Sequence, residues 1–226
     1  MTMTIISAQQ PFFLPNFYFF QKIFQSDVFL IADHLRFRKQ SPIVRALLSK
    51  KAKTKYLTVP IIHSANPHPH LPEVQIYPEQ NWKRKHLKTL LSLYSKEPYF
   101  EYYFPFLKTI YERDYKYLLP FLQDLLQMHF HIFSPKTIIH SALKLDITDD
   151  EKFIQWIKKY ENPILLIHKN EYSYYSKHFP DLSVKKINQV DIRLPEEFYP
   201  EMPFIILLFK KGPEIHNYIK NEKIEL

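Results

Sequence analysis

Apolar and polar residues alternate in two rhythms along the chain. Met3 to Ala8 has the two-residue period of a strand, and Val28 to Ala32 is an unbroken apolar run that stops at Asp33, as in a buried parallel strand. Between them Pro11 and Pro15 bracket a turn, and Phe17 to Gln25 forms a short aromatic helix ending near Ser26-Asp27. The first 33 residues therefore predict one βαβ unit. Lys55 to Ile62 and Glu73 to Tyr77 predict two further strands, read as members of a shared sheet.

The rhythm then becomes helical. From Asn81, a candidate N-cap, Leu87, Leu90, Leu91 and Tyr94 recur at helix spacing. Tyr103, Leu107 and Ile110 mark a second helix, and Leu118, Leu122 and Leu125 with Leu119 and Leu126 mark a third. Lys136 to Leu145 returns to strand, and Asp149 to Tyr160 is a helix whose first-turn acids suit its dipole. Pro163 to His168 is another apolar strand, Ser183 to Ile192 alternates weakly, and Phe204 to Ile219 fits strand or helix. The expectation is an α/β fold: a mostly parallel sheet opened by the βαβ unit, with a helical middle at about residues 81–130. We expect one domain over 1–226, its softest boundary in the Pro-rich loop 66–72.

Composition narrows the chemistry. The 226 residues contain one glycine, Gly212, against 18 prolines. A Walker A loop, a dinucleotide fingerprint and a G-x-S-x-G nucleophile elbow all need more glycine than that. With no cysteine, thiol nucleophiles, disulfides and thiolate metal sites are excluded. Met1 to Gln10 has no basic start or long apolar core, and the longest apolar run is Phe204 to Phe209, so a cytoplasmic protein without a membrane span is expected. The net charge of +8 points to an anionic partner such as a nucleotide-linked substrate or nucleic acid, or else to a merely basic surface.

Candidate site residues lie mostly in the first third. Gln10 follows the first strand and Asp33 ends the second, so both sit where open α/β sheets bind ligands. Gln10 would orient a substrate and Asp33 would act as general base; alternatively Gln10 stabilises its turn and Asp33 caps the next segment. Arg36, Arg38, Lys39, Arg45, Lys50, Lys51, Lys53 and Lys55 follow, with no acidic residue between His34 and Pro72. Such a run holds phosphate or carboxylate, or forms a solvated basic face. Its interleaving with Phe37 and Tyr56 also fits an RNA or other polyanion binder. Trp82, His86 and Leu90 share one helix face; His86 would donate a proton or stabilise charge, or would simply be a hydrogen-bonded boundary residue. Among eleven histidines, His63, His68 and His70, and His129 with His131, lack a diagnostic metal-ligand spacing, so no metal site is expected. Ser141 follows His140 without a recognisable triad.

Gln10-Pro11-Phe12-Phe13-Leu14-Pro15, Phe19-Phe20, Asp27-Val28-Phe29, and Asp33 with Phe37, Lys39 and Arg45 resemble the opening of the WbqC-like proteins. That opening runs roughly Q-P-x-Y-L-P-W-x-G-Y-F, A-D-V-F-V, D-x-V-Q-F-x-K and N-R. Leu57-Thr58-Val59-Pro60, Trp82 with Arg84, Lys85 and His86, Tyr94 with Pro98-Tyr99-Phe100, and Leu207-Leu208-Phe209 with Gly212-Pro213-Glu214 extend the resemblance over nearly the whole chain. Family members often belong to bacterial surface-polysaccharide (O-antigen) clusters, and a glycine-transferase role has been suggested. The resemblance therefore implies an acyl or aminoacyl transferase acting on a nucleotide-linked sugar, with Gln10, Asp33, Lys39, Arg45 and His86 as site residues and Arg36 beside them. The chain departs from the pattern at Asn16, Tyr18, Arg36 and Val44, and at Pro203 and Ile206, where the family has Ser-x-x-Asp. If that Asp is catalytic in the family, the chemistry here differs.

Overall fold

In the computed structural model, residues 2–49, 54–62, 66–79, 81–168, 172–187, 194 and 198–215 are described. The expected βαβ unit forms: β1 (Thr4–Gln9), α1 (Phe17–Phe24) and β2 (Val28–Ile31). The two strands are adjacent and parallel, with Ile6 opposite Val28 and Gln9 opposite Ile31. Asn16 caps α1, its side-chain oxygen accepting from the Phe19 N–H at 3.0 Å.

Between β2 and the next strand of the main sheet the chain makes a hairpin and the helical middle. The hairpin is β3 (Arg45–Ser49) and β4 (Lys55–Thr58). The helices are α2 (Asn81–Tyr94), α3 (Phe100–Glu112) and α4 (Leu118–Phe133). Then come β5 (Ile138–Ser141), α5 (Asp150–Ile157), β6 (Pro163–Ile167), α6 (Tyr172–His178), β7 (Ser183–Lys186) and α7 (Phe204–Lys211). The main sheet has five strands in the order β5-β2-β1-β6-β7, and every pairing is parallel. The strands on one side of β1 (β2, then β5) precede those on the other (β6, then β7) in the chain, so the order reverses between β1 and β6. That is the topological switch point of a doubly wound sheet.

Two apolar cores cover the two faces. The smaller joins Ile6, Val28, Leu30 and Leu165 to α5 through Phe153, Ile154 and Ile157. The larger joins Phe29 and Ile31 to α1, the hairpin, α2–α4 and α7. Phe20 holds its centre, with ring centroids 4.7 Å from Phe204, 5.0 Å from His129 and 5.5 Å from Phe133. Much of the aromatic surplus lies in this packing.

Several boundaries differ from expectation. Arg45–Ser49 is a strand inside the basic run, and it pairs antiparallel with β4 in a separate two-stranded sheet rather than a shared one. Glu73–Tyr77 makes single bridges, Ile61 to Ile76 and Gln75 to Tyr117, because Leu71–Glu73 is already a 3-10 turn. Helix α2 starts at Asn81, and its buried stripe is Trp82, His86, Leu90 and Tyr94, leaving Leu91 exposed. Phe204 begins a helix that Gly212 ends at φ 51°. Lys50, Lys51, Lys53, His63, the end of Ser183–Ile192 and the end of Phe204–Ile219 lie outside the described residues.

Candidate functional site

The loop leaving β1 is short of conformational freedom. Pro11 and Pro15 fix φ, Leu14 takes φ 47°, and Asn16 is bound into its cap. It is held from both sides. Phe13 N–H donates to Pro42 O at 2.9 Å, Phe17 N–H to Pro200 O at 3.1 Å, and Phe204 N–H to Pro15 O at 2.8 Å. The loop, the 40–47 segment, Tyr56 and Glu201 enclose a cavity of about 420 Å³.

Arg45 opens onto this cavity. A turn precedes it, with Val44 and Arg45 N–H groups both reaching Ser41 O at 3.1 Å, and it then enters β3 opposite Thr58. Leu47 lies opposite Tyr56, so Arg45 and Tyr56 are diagonal neighbours on one face of the hairpin. The guanidinium stacks on the Tyr56 ring, 3.7 Å from its centroid. It has no hydrogen-bond or ion-pair partner among the described residues, and its Nε is buried without an acceptor. A half-buried guanidinium, held rigid by an aromatic ring and facing a cavity with its N–H groups unused, is suited to a carboxylate or phosphate.

The other predicted site residues do not converge on it. Asp33 is fully buried, and its carboxylate accepts from Ser141 Oγ at 2.6 Å and from Leu143 N–H at 3.0 Å. It ties the end of β2 to the turn after β5, the capping alternative rather than a side chain aimed into the cavity. His86, expected as a proton donor or a boundary residue, lies in the core, ringed by Trp82, Phe13 and Tyr111, with the Tyr111 hydroxyl 3.2 Å from Nδ1. Burial pushes its pKa down to about 4, opposed by a hydrogen bond to the Thr58 backbone. It is therefore neutral at pH 7 and braces the strand that pairs with Arg45.

Gln10 Nε2 donates to Arg36 O at 3.1 Å. Arg36 points at the Pro-rich loop and donates to His68 O at 2.9 Å. Lys39 lines a separate cavity of about 160 Å³ with Phe37, Ile61 and Glu73. The segment carrying Lys39, Gln40 and Ser41 walls both cavities. Sequence reasoning missed Glu201, which lines the Arg45 cavity. Pro200-Glu201-Met202-Pro203 reads as a turn, but nothing local says that the turn returns to the β1 loop. Among the described residues no cluster of His, Asp and Glu has the makings of a metal site.

Set beside known proteins, the chain matches the model of the WbqC-like protein family over residues 10–218. No curated protein matches it.

Proposed function

The chain belongs to the WbqC-like protein family, and from that premise we propose a transferase that binds a nucleotide-linked sugar, or a similar anionic acceptor, at Arg45. It moves an acyl or aminoacyl group, glycyl included, onto that acceptor in surface-polysaccharide biosynthesis. The observation that carries this reading is the unpartnered Arg45 guanidinium stacked on Tyr56 at the mouth of the 420 Å³ cavity. An anion there gains two or more charge-assisted hydrogen bonds without a competing protein partner. The net charge of +8 adds long-range attraction. Gln10 and His86 support the cavity walls, and Asp33 supports the sheet edge. Residues 1–226 act as one domain, a reading supported by the joint burial of Phe17 and Phe204, whose ring centroids are 5.9 Å apart. A cytoplasmic location is consistent with such a substrate; among the described residues no helix is long and apolar enough to cross a membrane.

A second reading is a non-catalytic module for RNA or another polyanion, or an assembly subunit. The burial of both expected acid–base residues, Asp33 and His86, favours it. Titrating a panel of nucleotide-sugars and an RNA oligonucleotide at two salt concentrations separates the two. A transferase binds nucleotide-sugars with a shallow salt dependence. A polyanion module binds only the oligonucleotide, with affinity falling steeply as phosphate contacts are screened.

A further inference from the structure

The atoms of Arg45 divide into two sets. Nε is buried without an acceptor. Neither Nη is buried, and neither has a hydrogen-bond or ion-pair partner among the described residues. The open part of the guanidinium is therefore its Nη edge, at the cavity that Arg45 lines. The guanidinium carbon lies 3.7 Å from the centroid of the Tyr56 ring, a van der Waals contact of cation on ring.

Tyr56 contributes that ring and little else. It is 45% exposed, and its hydroxyl makes no hydrogen bond among the described residues. What places it is the hairpin. Ala46 and Leu57 stand opposite one another and are both buried, so β3 and β4 cannot slip without exposing them. That register carries Tyr56 to the diagonal position beside Arg45.

A free arginine samples many rotamers, and a ligand that fixes it bears the ordering cost. Here the ring has already ordered the side chain. The gain is specific to arginine. A guanidinium has a planar fork whose two Nη donors must be aimed together, whereas a lysine ammonium is a point charge with rotating donors. Resting on the reading of Arg45 as the anion anchor, we propose that Tyr56 is the positioning residue of the site. It presents the Nη edge of Arg45 as a fixed two-pronged donor, and so fits the cavity to a phosphate group that offers two oxygens side by side. The advantage of arginine over lysine at position 45 exists only while the ring is beneath it.

The test is a double-mutant cycle on the full chain, read by calorimetric titration of uridine diphosphate glucose. The proteins are wild type, Tyr56→Phe and Tyr56→Val, each with Arg45 kept and each with Arg45→Lys. Tyr56→Phe keeps the ring and should bind within about twofold of wild type, the scatter expected of a change that touches nothing else. Tyr56→Val should bind about three- to thirtyfold more weakly. Arg45→Lys should weaken binding in wild type and in Tyr56→Phe, yet by no more than about twofold in Tyr56→Val. A ring that merely supports the hairpin would lower affinity in Tyr56→Val and leave the Arg45→Lys penalty at its wild-type size; that result overturns the positioning role. So does equal binding by wild type and Tyr56→Val, a Tyr56→Phe as weak as Tyr56→Val, or an Arg45→Lys change without effect in wild type when the probe binds. Failure of wild type to bind the probe overturns the anion site itself, and this inference with it. Valine favours strands and the position is exposed, so Tyr56→Val keeps the hairpin. An unchanged circular dichroism spectrum and melting temperature verify this, and Tyr56→Thr answers the same question if they change.

Discussion

Lowering the pH from 7.5 to 4.5 should remove several kcal/mol of folding stability through buried histidines. His129 is the sharper case. It is fully buried between α1 and α4, its Nδ1 lies 2.7 Å from Leu125 O, and its Nε2 is buried without a partner. The ring therefore holds its proton on Nδ1 and stays neutral, with burial pushing its pKa down to about 4 from the ordinary 6.5. The sign follows from proton uptake: between those values the unfolded chain binds a proton that the folded chain refuses. Stability is full above the unfolded value and falls as the pH drops from 6.5 towards 4. At 1.36 kcal/mol per pKa unit, the effect is about 3 kcal/mol, and His86 contributes a comparable amount. Against a total of roughly 5–15 kcal/mol, the pair brings the fold near its limit in mild acid. Urea unfolding followed by tryptophan fluorescence at four pH values measures this. His129→Leu isolates the term, since the variant should lose less stability between pH 7.5 and 4.5 than wild type by about 3 kcal/mol, whatever the carboxylates add. Identical pH profiles for wild type and variant would refute the reasoning.

Asp33→Ala should lower stability by about 1–3 kcal/mol in the same urea assay, because it removes the fully buried carboxylate that accepts from Ser141 Oγ and Leu143 N–H in two part-buried hydrogen bonds. It should leave ligand affinity unchanged in the protein that remains folded. Gly212→Ala should cost about 1–3 kcal/mol by thermal or urea unfolding, since φ is +51° and the added Cβ would sit 2.6 Å from the Tyr99 ring. Trimming that ring in the double variant Gly212→Ala/Tyr99→Ala should recover the steric share of the loss relative to Tyr99→Ala alone.

How far the chain announced its own structure varies by element. Met3–Ala8 was legible by its two-residue period, and Val28–Ala32 because a strand buried on both faces must be apolar throughout; their pairing followed from the crossover rule. Arg45–Ser49 was not, since three apolar residues beside a basic run carry little period. Asp33 was correctly placed at the carboxyl end of β2, but sequence does not say whether a side chain there faces a crevice or the neighbouring strand. The direction depends on β5, more than a hundred residues away in the chain. His86 shared a face with Trp82 and Leu90 as expected, yet that face is the core stripe itself, so a border position became an interior one. Arg45 was legible as a cation and not as a stacked one, because Tyr56 is brought over it by hairpin register. Glu201 was illegible for the same reason at longer range.

The central claim is that the Arg45 guanidinium is the anion anchor of the cavity, and calorimetric titration of a uridine diphosphate sugar into wild type, Arg45→Lys and Arg45→Ala tests it most directly. The account predicts measurable binding to wild type, a loss of about 1–3 kcal/mol in Arg45→Ala, and only partial retention in Arg45→Lys, whose ammonium lacks the planar fork. Equal binding by all three proteins would contradict it, as would a wild type that binds RNA and no nucleotide-sugar.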